Sequence, residues 1–297
     1  MAELKELTVT KGNALVQASY RLTLNEQRLV LCCVAQLDGR KPLPKDNLFT
    51  VSVADYAGTF PIDEKNAYRD LEDAAKALYQ RDIRTYDGKA RERFRWVYHV
   101  KYHDGDGKVT LGFSPTLAPY LSLLHERFTS YQLEQIADLR LAYAIRLFEF
   151  LMQYKSSGRF VVKLEDFKAW LELEKQYRRF SNLKARVIDP AVQELREKSR
   201  INVEWKPIRR GRSVDRLEFA FRFAGTKAPP ESTGDLAAPA ETPPLKPATV
   251  ERFRTLYPLL DPQACKTDFD GWAAGRKRPA RDYDKAFLGF AKKWAAG

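Results

Sequence analysis

Residues Tyr177–Lys198 read YRRFSNLKARVIDPAVQELREK, and their side chains are of the kinds that recognise nucleic acid. Arg178, Arg179, Lys184 and Arg186 crowd the start of a helix-forming segment that carries Pro190 in its middle. A helix start offers free N–H groups and partial positive charge to phosphates. Arg and Asn match guanine and adenine edges two hydrogen bonds at a time. Leu183, Val187, Ile188, Ala191, Val192 and Leu195 recur at helical spacing as a buried stripe. About 180° from that stripe lie Asn182, Arg186, Asp189 and Gln193. This spacing assigns Asn182 and Arg186 to base edges. It assigns Arg178, Arg179 and Ser181, read as the helix cap, to phosphate. Lys184 also counts as a phosphate contact, although an ideal helix puts it on the core side. Either its stem snorkels or the helix changes phase, with Pro190 kinking the chain after Asp189 as one cause. A proline inside a regular helix costs about 3 kcal/mol, so it needs such a reason. Arg209, Arg210 and Arg212 around Gly211 form a second basic cluster suited to phosphate.

The charge balance agrees. Lys and Arg number 51 against 39 Asp and Glu, a net charge of +12 that favours polyanionic partners. From Lys175 to Arg216 there are 13 basic and 5 acidic residues, so this short stretch holds +8 of the total.

Residue types for catalysis are scarce. Of His99, His103 and His125, only the first two are near neighbours. On a strand they would stand about 13 Å apart, too far to share an ion. There is no Gly-rich loop ending in Lys-Ser/Thr, and no defensible pair of acid and base carboxylates. Cys32, Cys33 and Cys265 fit neither a disulfide framework nor zinc spacing. The expectation is no catalysis, no metal and no cofactor. With no long apolar run and no apolar N-terminal segment, a cytoplasmic protein without membrane contact is expected.

The elements that must position these residues come twice. Thr23-Leu24-Asn25-Glu26 reads as a capping box opening a helix. The strand LFTVSV (48–53) follows, then a short helix from about Asp55, a longer one over 63–81, and a hairpin of 94–103 with 108–113 around Asp104-Gly105-Asp106-Gly107. The second round comprises a helix over 138–156, a strand at 159–164, a short helix at 165–173, the basic helix, and a hairpin turning at Arg209–Arg212. LEDAAKAL (71–78) and IDPAVQEL (188–195) echo each other in register. Three helices and a hairpin are the plan of a winged helix, whose third helix enters the major groove. The first copy's third helix is nearly neutral, so backbone contacts, assigned to Lys65 and Arg69, or protein association are expected there.

The predicted fold class is α+β: two tandem winged-helix domains, a flexible linker and a small helical tail. Their bounds are 1–130 for dimerisation or backbone contact, 131–225 for sequence recognition, 226–247 for the Pro-rich linker and 248–297 for the tail.

Three pieces in order carry a family resemblance: ALVQASYRLTLNEQRLVLCCVAQL, TLAPYLSLLHERFTSYQLEQIADLRLAYAIRLFEFLMQY and YRRFSNLKARVIDPAVQEL with its wing. Together they resemble the plasmid replication initiators that bind iterons, short direct repeats at a plasmid origin. The resemblance covers about residues 7–223. Its members carry a Tyr, a basic pair, then an aromatic or Leu followed by three basic residues. Here these are Tyr177, Arg178-Arg179, Leu183 and Lys184-Ala185-Arg186. Ala185 sits where relatives place a basic base contact, so it is counted with the reading head and implies a different iteron.

The resemblance further implies that monomers bind iteron DNA, open the origin with the host replication initiator and recruit the replicative helicase. A homodimer in equilibrium with them would repress the gene. The alternative is a winged-helix transcriptional repressor with no replication role. The tail resembles modules of primosomal proteins. In it Trp272, Arg276, Lys277, Arg278, Tyr283, Phe287, Phe290 and Trp294 suit a single strand or a protein partner; a small helical core is the other reading.

Overall fold

The computed structural model describes residues 6–86, 89–103, 105–125, 127–223, 245–256, 265–266, 269–270, 273 and 282–294. It comprises two compact units, Met1–Ala228 and Pro229–Gly297. Among the described residues no helix is long and apolar enough to cross a membrane.

Strand β1 (Thr8–Gly12) and the short helix α1 (Asn13–Val16) lead to α2 (Leu24–Ala35). The capping box is present: Thr23 Oγ1 accepts from the Glu26 N–H at 3.3 Å, and Glu26 Oε2 accepts from the Thr23 N–H at 2.6 Å. Such a cap contributes about 1 kcal/mol. Next come β2 (Leu48–Ser52), α3 (Val53–Thr59) and α4 (Glu64–Leu78), the last capped by Asp63. The segment expected to be one strand over 94–103 is two, because the chain breaks at Trp96. An unforeseen hairpin of β3 (Asp82–Tyr86) and β4 (Arg91–Arg95) precedes the wing of β5 (Val97–His103) and β6 (Lys108–Phe113). Fully buried Trp96 plugs the junction, and its backbone N–H bonds the Arg81 carbonyl.

After α5 (Ala118–Leu121), strand β7 (Phe128–Gln132) pairs back with β1. The expected 130/131 boundary therefore falls inside a strand. A turn of helix, α6 (Glu134–Ala137), precedes α7 (Ala142–Met152), which is shorter than the 138–156 expected. Then follow β8 (Arg159–Lys163), α8 (Leu164–Trp170), the third helix in pieces, and the wing of β9 (Ile201–Arg210) and β10 (Ser213–Phe223).

Both copies share one sheet plan. The strand after the first helix pairs with the last wing strand, giving the orders β2-β6-β5 and β8-β10-β9. The sequence echo is a shared core pattern: Leu71, Ala74, Ala75 and Leu78 are buried, as are Ile188, Ala191, Val192 and Leu195. The two copies are not separate bodies, because one continuous hydrophobic cluster runs from Val9 to Phe221.

A buried ionic group sits in the seam. Lys11 donates to Glu149 Oε1 at 2.6 Å, and the Tyr131 hydroxyl donates to the same oxygen at 2.7 Å. Arg146 donates to the carbonyls of Val16, Ala18 and Trp170 and lies over the Tyr20 ring. Burial alone would push the Glu149 carboxyl up. Lys11 and Arg146, with the hydrogen bonds from Lys11 and Tyr131, outweigh that and hold it below the usual carboxylate range.

The second unit contains helices Pro247–Leu256 and Tyr283–Trp294 around Phe253, Cys265, Phe269, Phe287 and Ala291, all fully buried. Most of the expected linker, residues 224–244, lies outside the described residues.

Candidate nucleic-acid interface

The basic helix is built in three parts: α9 (Phe180–Leu183), a π-helical turn (Lys184–Ile188) and α10 (Asp189–Lys198). The reason is a conflict of phase. Leu183 and Leu195 must both be buried, yet their spacing in an unbroken α-helix leaves them roughly 120° apart. One residue absorbed by a π turn reduces the mismatch to roughly 20°. The Asp189 N–H bonds the Lys184 carbonyl, five residues back. Pro190 then falls in the first turn of α10, where its missing N–H and fixed φ are tolerated.

This resolves the position of Lys184. The helix changes phase, so Lys184, Ala185 and Arg186 are all exposed between buried Leu183 and Val187. The Lys184 ammonium bonds Asp189 Oδ2 at 3.1 Å and lies 6.0 Å from the centre of the Trp205 ring. One expectation is corrected: Ser181 is not the cap. The helix starts at Phe180 with Arg179 at the cap position and no capping side chain, leaving Ser181 exposed in the first turn. The first-turn N–H groups thus have no side chain of their own competing for them.

Arg178 and Arg179 just before the helix, and Asn182 and Arg186 on it, are all exposed. None of the three arginines has an ion-pair partner among the described residues. The three acids of this helix each have a partner, and one of them is buried. Asp189 receives Lys184 and the Trp205 Nε1–H at 3.1 Å, and Glu197 receives Gln193 at 2.9 Å. Glu194 is buried and accepts the N–H groups of Arg140 and Leu141, each at 2.8 Å. Arg178, Arg179 and Arg186 are thus exposed without an ion pair among the described residues, while Lys184 is paired with Asp189 and only Glu194 is turned into the fold.

At the wing tip, Gly211 takes a positive φ of 62°, which a residue with a side chain rarely adopts. It closes the turn so that Arg209, Arg210 and Arg212 stand exposed around it. Arg209 Nη1 donates to the Arg212 carbonyl at 3.2 Å. The second wing and third helix are joined through Trp205, which packs on Phe180 and Phe219.

On the first copy, Lys65 and Arg69 are exposed on α4, and Arg69 donates to Asn66 at 2.8 Å. In the tail, Trp272, Arg276, Lys277 and Arg278 lie outside the described residues, as does the side chain of Trp294. Phe287 is corrected: it is at the centre of the tail's core and not open to stacking.

Sequence reasoning missed Trp205, which joins the wing to this helix, and Glu194, a buried acid on the side of the helix away from the site. The available signal was an acid, Glu194, flanked by the stripe residues Ala191 and Leu195. On the β5 strand, His103 bonds Thr110 Oγ1 at 2.8 Å. Among the described residues no three His, Cys, Asp or Glu side chains cluster as metal ligands do.

A tandem winged-helix protein with Arg178, Arg179, Lys184 and Arg186 exposed at the start of one third helix and an Arg-tipped wing is a DNA-binding protein by class. Residues 8–152 match the family described as Initiator Replication protein, WH1, and residues 163–221 match Initiator Rep protein, WH2. A replication initiation protein of Escherichia coli is 32% identical over 225 residues, covering 73% of this chain and 70% of that protein. The chain belongs to this family of DNA-binding initiators of plasmid replication. The PI protein of Escherichia coli is 22% identical over 264 residues, covering 75% of this chain and 87% of that one. A crystal structure of the Pi initiator protein in complex with iteron DNA superposes with a TM-score of 0.65 at 22% identity, across 75% of this chain and 99% of that one, which speaks to the fold.

Proposed function

We propose that this initiator reads iterons through its second winged helix. Asn182, Ala185 and Arg186 meet base edges. Arg178, Arg179, Ser181, Lys184 and the wing residues Arg209, Arg210 and Arg212 hold phosphates. Lys65 and Arg69 of the first winged helix meet the neighbouring backbone. The observation that carries this reading is the exposed set of Arg178, Arg179 and Arg186 at the start of the third helix, with no ion pair to any of them among the described residues.

The monomer opens the origin with the host initiator and replicative helicase, the dimer represses the gene, and no catalytic step belongs to the chain. The protein acts in the cytoplasm, and residues 248–297 supply the helicase or single-strand contact.

The test is fluorescence anisotropy on a duplex holding one direct repeat from beside the gene, against a scrambled duplex, across a salt series. Selectivity of about a thousandfold with a steep salt slope is expected. Equal binding to both duplexes overturns iteron reading. A plasmid holding only the gene and its repeats should replicate, and deletion of 226–297 should abolish this. Failure of the full-length gene to support replication overturns the initiation steps.

A further inference from the structure

Residues 139–142 lead from α6 into α7, the expected first helix of the second winged helix, and this crossing is gripped from both sides. Its carbonyls are held by the first copy: Arg28 Nη2 donates to the Leu139 carbonyl at 3.1 Å, and Gln27 Nε2 donates to the Ala142 carbonyl at 3.2 Å. Both side chains come from α2, and both residues are buried. Its amides are held by the second copy, where the two carboxylate oxygens of Glu194 take the N–H groups of Arg140 and Leu141. Lys198 braces Glu194 Oε1 at 2.7 Å. Glu194 lies on the third helix, two turns beyond Arg186.

A carboxylate accepting two backbone N–H bonds from a four-residue crossing allows little rotation. The crossing can shift against neither α2 nor α10 without stranding buried polar groups.

We infer that Glu194 is a positioning residue that sets the spacing between the DNA contacts of the two winged helices. It acts through the crossing and touches no DNA itself. With Arg28 and Gln27 it makes the separation of Lys65 and Arg69 from Asn182 and Arg186 a fixed property of the monomer. The DNA consequence rests on the reading proposed above; the clamp itself does not. Specificity then has two parts: base contacts in the second copy, and the distance from them to the backbone contacts of the first.

The experiment compares wild type, Glu194→Gln and Arg28→Lys. Arg28 lies on the far side of the clamp, so its variant leaves the third helix untouched and carries the test if Glu194→Gln folds poorly. Spin labels at Lys101→Cys on β5 and Lys163→Cys on β8 report the distance between copies in the DNA-free protein. The native cysteines are buried and do not compete. Affinity is then measured for the iteron, for an iteron with one base pair inserted between the two contacted segments, and for the half contacted by the second copy.

A narrow distance distribution is expected in wild type and a broad one in both variants. The wild-type preference for natural spacing should fall at least tenfold in the variants, while half-site affinity stays within threefold. Distributions that stay narrow overturn the clamp whatever the DNA does. Unchanged spacing preference with a proportional loss on the half-site shows that Glu194 merely supports the third helix, and overturns the inference. A wild type that ignores the iteron altogether defeats the proposed function, leaving the distance measurement to decide the clamp.

Discussion

Two third helices of equal rank in the fold have been put to different uses. Helix α4 is a regular helix with an Asp63 cap, buried Leu71, Ala74, Ala75 and Leu78, and a surface where acids balance bases. Its counterpart has the same buried pattern but begins without a capping side chain, swells into a π turn, and buries one of its acids, Glu194. The shared pattern is what packing requires. The differences lie on the outer face, where packing imposes nothing and charge decides what is attracted. One scaffold thus carries one third helix that opens on exposed arginines and one whose surface is near-neutral.

The comparison can be broken first at the level of the shared core. Glu149→Gln leaves Lys11 buried without its counter-charge and should cost about 3–5 kcal/mol. Because the seam joins the two copies, one unfolding transition should move as a whole in urea. Two separated transitions would show that the copies are independent bodies. The same group sets an acid limit. Its folded pKa lies below the usual value of about 4.3, so its contribution is complete above that pH and is lost as pH falls through the lower folded value. Unfolding free energies between pH 3 and pH 6 should therefore rise less steeply in Glu149→Gln than in wild type.

The next effect is on specificity. Arg186→Ala should cost about 1–3 kcal/mol on iteron DNA and relax preference at one base position. Equal losses on iteron and random duplexes would make the second helix no more a reader than the first. Arg210→Ala on the wing should weaken all DNA alike and lower the salt slope by about one unit. The smallest effect belongs to α4. Lys65→Ala should weaken iteron and scrambled DNA equally, by about 0.5 kcal/mol or less for a rim charge. A base-dependent loss at Lys65 would erase the division of labour.

Much of this arrangement was legible before the fold was seen. The capping box at Thr23 and Glu26, the Gly211 turn and the register of 71–78 with 188–195 are local signals, and local chemistry enforces them. The β3–β4 hairpin escaped because its strands alternate poorly and the break at Trp96 depends on a plug supplied by the surrounding core. Ser181 was misread as a cap because caps are judged by residue type, whereas the start of a helix is set by what packs beneath it, here Phe180 on Trp205. For Phe287 both stacking and a small helical core stood open, because its core partners Phe253 and Phe269 lie too far along the chain for periodicity to reveal.

The sequence by itself determined the order of elements, the basic character of one third helix and the residues on its outer face, because periodicity, turn chemistry and charge reside in neighbouring residues. Tertiary structure alone decided the phase of Lys184, the inward turn of Glu194 and the ionic seam of Lys11, Arg146 and Glu149. Each of these depends on partners distant in the chain, such as Arg140, 54 residues from Glu194. Only closure of the core brings such partners within hydrogen-bond reach, and no local pattern encodes that distance.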